Sequence, residues 1–449
     1  MIDIRKKAHF IGIGGIGMSS LAQYYLAKGW HVSGSDLVES EMLEKLKKAG
    51  LEIFIGHKAV NLLEKVDRVI FSAAIKDDNP EIEQAKILGS EIISYAKALG
   101  ELTRQYITIT VSGAHGKSTT TALLSLMMIK AGLDPTVIIG TRLKEFKDNN
   151  FRLGQSRYLV VEADEYNKSF LEFFPTIAII TNIDKEHLDT YGDLNGVINN
   201  FAKYFKNVAS VGALVINAKD ENSEKALKIW NGKTKVVKFG AKKIDSWSLK
   251  IPGKFNQLNA EAAWQSAKLL GVEKSVAEKS VSNYSGSWRR MEELVPKGQA
   301  ALRQAQGKKF FTDYAHHPTE IKATIKALKE SFPKKKLVVV FQPHQLERLN
   351  NLFEDFISSF DGADKLILMP AYQVAGRESS GLPAKALATA GQKTAKDLFE
   401  AIKKEGFYYL KNFAQIVKLT KEFSNSVVVF MGAGDIDNEV RKYFKSKLF

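Results

Sequence analysis

Apolar positions along the chain follow two alternating periods. Short runs of apolar and β-branched residues, bounded by Gly, Asp or Ser, predict buried strands, and apolar residues three and four apart predict helices. His9–Ile13 reads as a strand, and Met18, Leu21, Ala22 and Tyr25, at i, i+3, i+4 and i+7, predict a helix. Trp30–Ser35 and Val69–Ala73 read as further strands. A second block opens near Glu101. It has strands at Tyr106–Val111, Tyr158–Glu162, Ile177–Thr181 and Ala213–Asn217, an apolar helix running to Lys130, and helical character over Asn259–Leu270. A third block opens near Arg289, with strands at Phe310–Thr312, Leu337–Phe341, Lys365–Met369 and Val427–Met431 and helices over Glu320–Glu330 and Ala395–Lys404. This alternation predicts an α/β fold with mostly parallel sheets. Two polar stretches, Gly298–Lys308 and Ala375–Ala388, read as exposed loops.

Two glycine-rich turns stand between a strand and a helix. In Gly12-Ile13-Gly14-Gly15-Ile16-Gly17, glycines let the backbone turn tightly and approach a diphosphate at the positive end of a helix. Asp36 closes the next strand, where a dinucleotide site carries an acid for a ribose hydroxyl. Any nucleotide diphosphate suits such a turn. The second is Gly113-Ala114-His115-Gly116-Lys117-Ser118-Thr119. Its N–H groups cradle phosphates, Lys117 neutralises β- and γ-phosphates, and Ser118 offers a hydroxyl to Mg²⁺. Val111 stands where a strict P-loop has its first glycine, so the loop is a shortened form.

Acidic and imidazole residues cluster after two central strands: Glu162, Asp164 and Glu165, then Asn182, Asp184, Glu186, His187 and Asp189. In open α/β sheets ligands bind beyond the carboxyl ends of strands, and carboxylates there, beside a phosphate loop, suit Mg²⁺. In the third block, Asp313-Tyr314-Ala315-His316-His317-Pro318 follows a strand. Adjacent histidines point in different directions, so one of them is expected to be buried or to start the helix that Pro318 opens. Gln342-Pro343-His344, with Arg348 four residues on, follows the next strand and offers an anion site.

Composition narrows the field. The 449 residues allow two to four domains. There is no cysteine, which excludes disulfides, thiol nucleophiles and cysteine-bound metals and fits a cytoplasmic protein. The net charge of +15 is spread along the chain, as on a solvated lysine-rich surface, with no basic block interleaved with aromatics to point to nucleic acid. Arg5-Lys6-Lys7 before the uncharged stretch 8–27 imitates a signal peptide. Four glycines, Gln23 and two tyrosines in that stretch argue instead for strand, turn and helix, and no other run is long enough to span a bilayer.

Together these segments resemble the Mur ligases, ATP-dependent amide-forming enzymes of peptidoglycan precursor synthesis. The resemblance is carried in family order by 9–22, Gly113–Thr119, 161–165, 181–184, 187–191, Ile251-Pro252-Gly253 with Asn256 and Asn259, Arg289-Arg290, Asp313–Pro318 and 341–344. It implies three domains: 1–100, Rossmann-like, for a UDP-sugar; 101–287, a P-loop ATPase-like sheet; and 288–449, Rossmann-like, for an amino acid. The implied UDP-sugar site is Gly12, Gly14, Gly15, Gly17, Met18, Ser19, Asp36 and Ser72. The implied ATP site is Gly113–Thr119 (including Ala114, His115 and Gly116), Asn182, Asn256 and Asn259. Ser118, Glu162 and His187 would hold Mg²⁺. Lys117, Glu162, His187, Arg289, Arg290, Asp313, His344 and Arg348 would carry catalysis, with Arg289 or Arg290 reaching over from the domain junction.

The branch resembled most joins L-alanine to the carboxylate of UDP-N-acetylmuramate through an acyl phosphate. A sister branch adds a preformed peptide to the same sugar nucleotide. An NAD-dependent oxidoreductase would leave Gly113–Thr119 without a purpose, and a non-enzymatic nucleotide switch would leave the third block without one. The chain departs from the family at Phe255, where His is usual, at Thr312, where Asp is usual, and at Gln345, where Arg is usual. Lys203 cannot be given the carbamylated-lysine role some relatives use, and Gly298–Lys308 resembles an insertion in a hairpin.

Overall fold

The computed structural model describes residues 6–241, 247–295, 307–372 and 393–445. The two polar stretches expected as loops lie almost wholly outside them. The first sheet contains β1 (Lys7–Ile11), β2 (His31–Asp36), β3 (Glu52–Ile55), β4 (Arg68–Phe71) and β5 (Glu91–Ser94), all parallel, in the order β3-β2-β1-β4-β5. The second contains β6 (Ile107–Ser112), β7 (Thr136–Leu143), β8 (Asn149–Arg152), β9 (Tyr158–Glu162), β10 (Ile177–Ile180), β11 (Ala213–Asn217) and β12 (Lys235–Phe239), ordered β12-β11-β10-β6-β9-β7-β8. The third contains β13 (Glu292–Leu294), β14 (Lys309–Asp313), β15 (Lys336–Phe341), β16 (Lys365–Leu368), β17 (Phe407–Tyr409) and β18 (Ser426–Met431), ordered β13-β14-β18-β15-β16-β17. Among these strands, in the described residues, only β7–β8 and β13–β14 pair antiparallel.

Seven of these strands were not expected from the sequence. Six of them, β3, β5, β8, β12, β13 and β17, are sheet edges. An edge strand is half-solvated and short, so its apolar signal is weak: β3 reads Glu-Ile-Phe-Ile and β12 reads Lys-Val-Val-Lys-Phe. Central strands such as β10, buried at all four positions, carry the continuous apolar runs that were legible. The first strand ends two residues earlier than expected, because Gly12 leaves the ladder at φ +82°.

Five helices hold the glycine-rich turns and their surroundings in place: α1 (Ile16–Ala27), α2 (Glu41–Lys48), α3 (Pro80–Leu88), α4 (Tyr95–Thr103) and α5 (Lys117–Lys130). The chain forms two compact units, Met1–Ser248 with Gln257–Asn283, and Leu249–Asn256 with Tyr284–Phe449. The first two sheets share the first unit, and α1 shows why. Asn150 on β8, fully buried, donates to the Ile16 carbonyl at 2.6 Å and to Ser19 Oγ at 2.9 Å. Ser20 Oγ donates to the Asn150 carbonyl at 3.1 Å, and Gln23 Nε2 to Asn150 Oδ1 at 3.1 Å. This latch satisfies the buried amide and pins the first turn of α1 to the edge of the central sheet. Among the described residues no helix is long and apolar enough to cross a membrane.

Candidate active site

The central site is set by strand register. β6 pairs with β9 with Val111 opposite Glu162, and with β10 with Ser112 opposite Ile180. The three strands end at one level, so the loops beyond them meet. Ala114 N donates to the Asn182 carbonyl at 3.1 Å and His115 N to Asn182 Oδ1 at 3.0 Å, while Asn182 Nδ2 returns a bond to the His115 carbonyl at 2.9 Å. Asn182 thus shapes the phosphate loop. His115 Nε2 lies 3.1 Å from Asp184 Oδ2. The loop glycines at 113 and 116 have φ +125° and +87°. A Cβ at 113 would stand 2.3 Å from Thr181 Oγ1, and one at 116 would stand 2.5 Å from Asn259 Oδ1. Asn259 therefore lies directly against the loop, whereas Asn256 donates to the Pro252 carbonyl at 2.6 Å.

Lys117 is the first residue of α5. Its Nζ donates to Glu165 Oε1 and Oε2 at 3.0 and 2.9 Å and to the Gly113 carbonyl at 2.8 Å. Glu165 is 1% exposed. Burial penalises the Lys117 ammonium, but the charges of Glu165, Asp164 and Glu162 outweigh it and hold its pKa above the ordinary value. Glu162 Oε1 accepts from Ser118 Oγ at 2.8 Å and Oε2 from Gly140 N at 2.8 Å. His187 sits at φ +55°, in the left-handed region, with its ring 5.1 Å from Tyr166 and Nε2 3.8 Å from Glu165 Oε1.

The structure thus groups the expected metal residues in two sets. Ser118 meets Glu162, and His187 meets Asp164 and Glu165, with candidate ligand atoms of that second set within 4.8 Å of one another. Hydroxyl and carboxylate oxygens at the mouth of a phosphate loop fit Mg²⁺. Glu165 was visible in the sequence cluster, but its partnership with Lys117, 48 residues away, was not.

The first glycine-rich turn works differently from its sequence reading. Gly12 N and Ile13 N donate to the Ser35 carbonyl at 2.8 and 3.0 Å, Gly14 N to Asp36 Oδ2 at 2.8 Å, and Gly15 N to the Gly12 carbonyl at 3.2 Å. These amides shape the turn and are not presented to a ligand. The N–H groups that helix geometry leaves open are those of Ile16, Gly17 and Met18 in the first turn of α1. Asp36 is spent on Gly14 and on Leu37 N, at 2.8 Å each. Met18 is buried in the core, and Ser19 Oγ donates to the Ile16 carbonyl at 3.0 Å, so neither side chain faces outward from the turn. Ser72 lies beside the turn, 3.0 Å from where a Gly12 Cβ would stand.

The remaining candidates lie in the second unit. Arg289, expected to reach over from the domain junction, is buried and turned inward: Nη2 donates to the carbonyls of Gly432 and Gly434 at 2.5 and 2.9 Å. Its neighbour Arg290 is more open, with its guanidinium 4.8 Å from the Tyr314 ring and 3.7 Å from Glu320. His317 caps the helix Pro318–Ser331, accepting from Thr319 N at 3.2 Å. His316 and His344 meet edge to face at 6.1 Å, and His344 stacks on Tyr372 at 5.9 Å. Arg348 lies on the helix Leu346–Asn351. Of the family departures, Thr312 is buried and donates to Asp437 at 2.9 Å, Phe255 packs on the core of the second unit, and Gln345, at φ +64°, precedes the helix of Arg348.

Asp313 accepts from Met291 N and Ala315 N at 2.7 and 2.8 Å. Burial pushes its carboxyl up to about 6, against the pull of Arg290 and the two amides. The folded state therefore favours the neutral acid. That contribution is complete below the ordinary aspartate range and is lost as pH rises through about 6. The melting temperature of the wild type, measured relative to Asp313→Asn, is expected to fall between about pH 4 and pH 6.5. A pH-independent difference would refute this environment for Asp313.

Residues 7–107 match the Mur ligase family catalytic domain, 111–250 the Mur ligase middle domain, and 289–434 the Mur ligase glutamate ligase domain. The UDP-N-acetylmuramate–L-alanine ligase of Clostridium tetani is 37% identical, covering 96% of each chain, and that of Aquifex aeolicus is 37% identical, covering 98% of this chain and 97% of its own. A solved UDP-N-acetylmuramate–alanine ligase from Thermotoga maritima superposes with a TM-score of 0.78 at 29% identity, covering 98% of this chain and 100% of its own. A murein peptide ligase from Psychrobacter arcticus, at 22% identity and a TM-score of 0.70 over 97% of this chain and 98% of its own, shares the fold. Three family models over most of the chain, and relatives 37% identical over nearly its whole length, lead to one conclusion: the chain belongs to the Mur ligase family.

Proposed function

We propose that the chain is an ATP-dependent ligase that joins L-alanine to the carboxylate of UDP-N-acetylmuramate, in the cytoplasmic stage of peptidoglycan precursor synthesis. Two curated relatives that bear this activity in their names match at 37% identity over nearly full length. The observation that carries the reading is the convergence of Lys117, Ser118, Glu162 and Glu165 where β6 and β9 end. The reading assigns the sugar nucleotide to 1–100, ATP to 101–287 and the amino acid to 288–449.

The first-turn amides of α5 and the Lys117 ammonium hold the ATP phosphates. Glu165 keeps Lys117 charged and aimed. Ser118, Glu162 and the group around His187 would hold Mg²⁺, which when bound neutralises phosphate oxygens. The first turn of α1 holds the sugar diphosphate. The substrate carboxylate attacks the γ-phosphorus, ADP leaves, and the L-alanine amine displaces phosphate from the acyl carbon. The attacking amine must be neutral. His187, His316 and His344 are the candidate imidazoles for handling that proton.

Phosphate release from ATP and Mg²⁺, measured across a panel of amino acids, tests the reading. Release should require UDP-N-acetylmuramate and be fastest with L-alanine. Equal turnover with a preformed tripeptide would move the assignment to the sister ligase, and hydride transfer to NAD would overturn both.

A further inference from the structure

The first turn of α1 and the acidic loop after β9 are attached to one helix, α4, within a single unit. At the middle of α4, a Cβ on Gly100 would stand 2.3 Å from the Glu172 carbonyl oxygen, and Thr103 Oγ1 accepts from Phe174 N at 3.0 Å. These contacts bind α4 to the segment that continues from Asp164 and Glu165. At its start, Tyr95 lays its phenol on Gly17. A Cβ on Gly17 would stand 2.6 Å from the Tyr95 hydroxyl and 2.8 Å from the carbon that bears it. Gly17 is therefore needed to admit the phenol, a role the glycine motif did not disclose.

The Tyr95 ring packs on the apolar core that runs through both sheets of this unit. Its hydroxyl has no hydrogen-bond partner among the described residues. Burial, and then the charges of Asp164 and Glu162, hold the phenol above its ordinary pKa, so it remains protonated. A partly exposed hydroxyl laid over the first turn of a helix, bonded to no described protein group, is available to a ligand atom. The carboxylates repel an incoming anion, and a neutral donor beside them offsets part of that repulsion.

We propose that Tyr95 is a substrate-contacting residue, donating its hydroxyl to an anionic oxygen of the sugar nucleotide where that ligand passes from the first turn of α1 toward the phosphoryl-transfer loop. This rests on the assignment of α1 to the sugar nucleotide. It adds a group that ties the sugar-nucleotide site to the ATP site. The acceptor is either the reacting carboxylate or a diphosphate oxygen, and the test separates the two.

Tyr95→Phe removes the hydroxyl and keeps the ring. Calorimetry with UDP, UDP-N-acetylmuramate and ATP, together with steady-state kinetics, gives the readout. The kcat/KM for UDP-N-acetylmuramate should fall by about 10- to 100-fold, the scale of a hydrogen bond to a charged group, with ATP affinity and melting temperature unchanged. Loss in kcat with UDP affinity retained places the hydroxyl on the carboxylate, and loss in UDP affinity places it on the diphosphate. Gly17→Ala, which displaces the phenol, should reproduce the defect. Kinetics and affinities within two-fold of wild type, or a change in melting temperature alone, would overturn the proposal. A wild type that binds UDP-N-acetylmuramate but turns over no amino acid would sink the proposed reaction and leave the affinity of Tyr95→Phe to decide this one. A wild type that does not bind it would sink both.

Discussion

Replacing Lys117 with alanine is expected to lower phosphate release by about 10³-fold, the upper range for removing one transition-state donor. Affinity for UDP-N-acetylmuramate should stay within a few-fold, because α1 and its turn belong to a different sheet. The structure adds a second expectation. Glu165 is almost fully buried, and Lys117 is its cation, at 2.9 Å. Removing the ammonium strands a buried carboxylate, which costs about 3–5 kcal/mol and should lower the melting temperature. The double variant Lys117→Ala with Glu165→Gln separates the two effects: it should recover stability but not turnover. Wild-type turnover in Lys117→Ala would remove this residue from the chemistry. A double variant as unstable as the single one would show that the pair is not what Glu165 depends on.

The next largest effect is expected at Glu162. Its two oxygens accept from Ser118 Oγ and Gly140 N. Glutamine keeps the shape but loses the charge, and its NH₂ would face one of those donors. Turnover should fall by about 10²-fold, and half-maximal activity should need more Mg²⁺. His187→Ala should lower turnover on the same scale. The loss there arises differently, since His187 stands with Asp164 and Glu165, whereas Glu162 stands with Ser118. Combining the two changes is informative for that reason. Losses that multiply would mean two sets acting separately, and a combined loss no larger than either would mean one shared ion. An unchanged rate and an unchanged Mg²⁺ requirement in Glu162→Gln would take it out of the metal set.

The sequence by itself determined what is local. A glycine-rich turn, a Gly-Lys-Ser loop, a run of β-branched residues or a His-Pro helix start is encoded within about ten residues, because backbone conformation and helix capping are decided over that span. The layer order and the phosphate loop were legible for this reason, and the family followed from the order of the motifs. Partnerships across tens of residues were decided only by the tertiary structure. Lys117 is paired by Glu165, α1 is latched by Asn150, Gly17 makes room for Tyr95, and Arg289 is turned inward to the carbonyls of Gly432 and Gly434. Edge strands escaped notice because half-solvated residues carry little apolar pattern. The amides of Gly12 to Gly15 looked open to a diphosphate and proved to be spent, since the acceptor that takes two of them, the Ser35 carbonyl, comes from a neighbouring strand. A motif names the groups a turn can offer, and strand register decides which of them remain for a ligand.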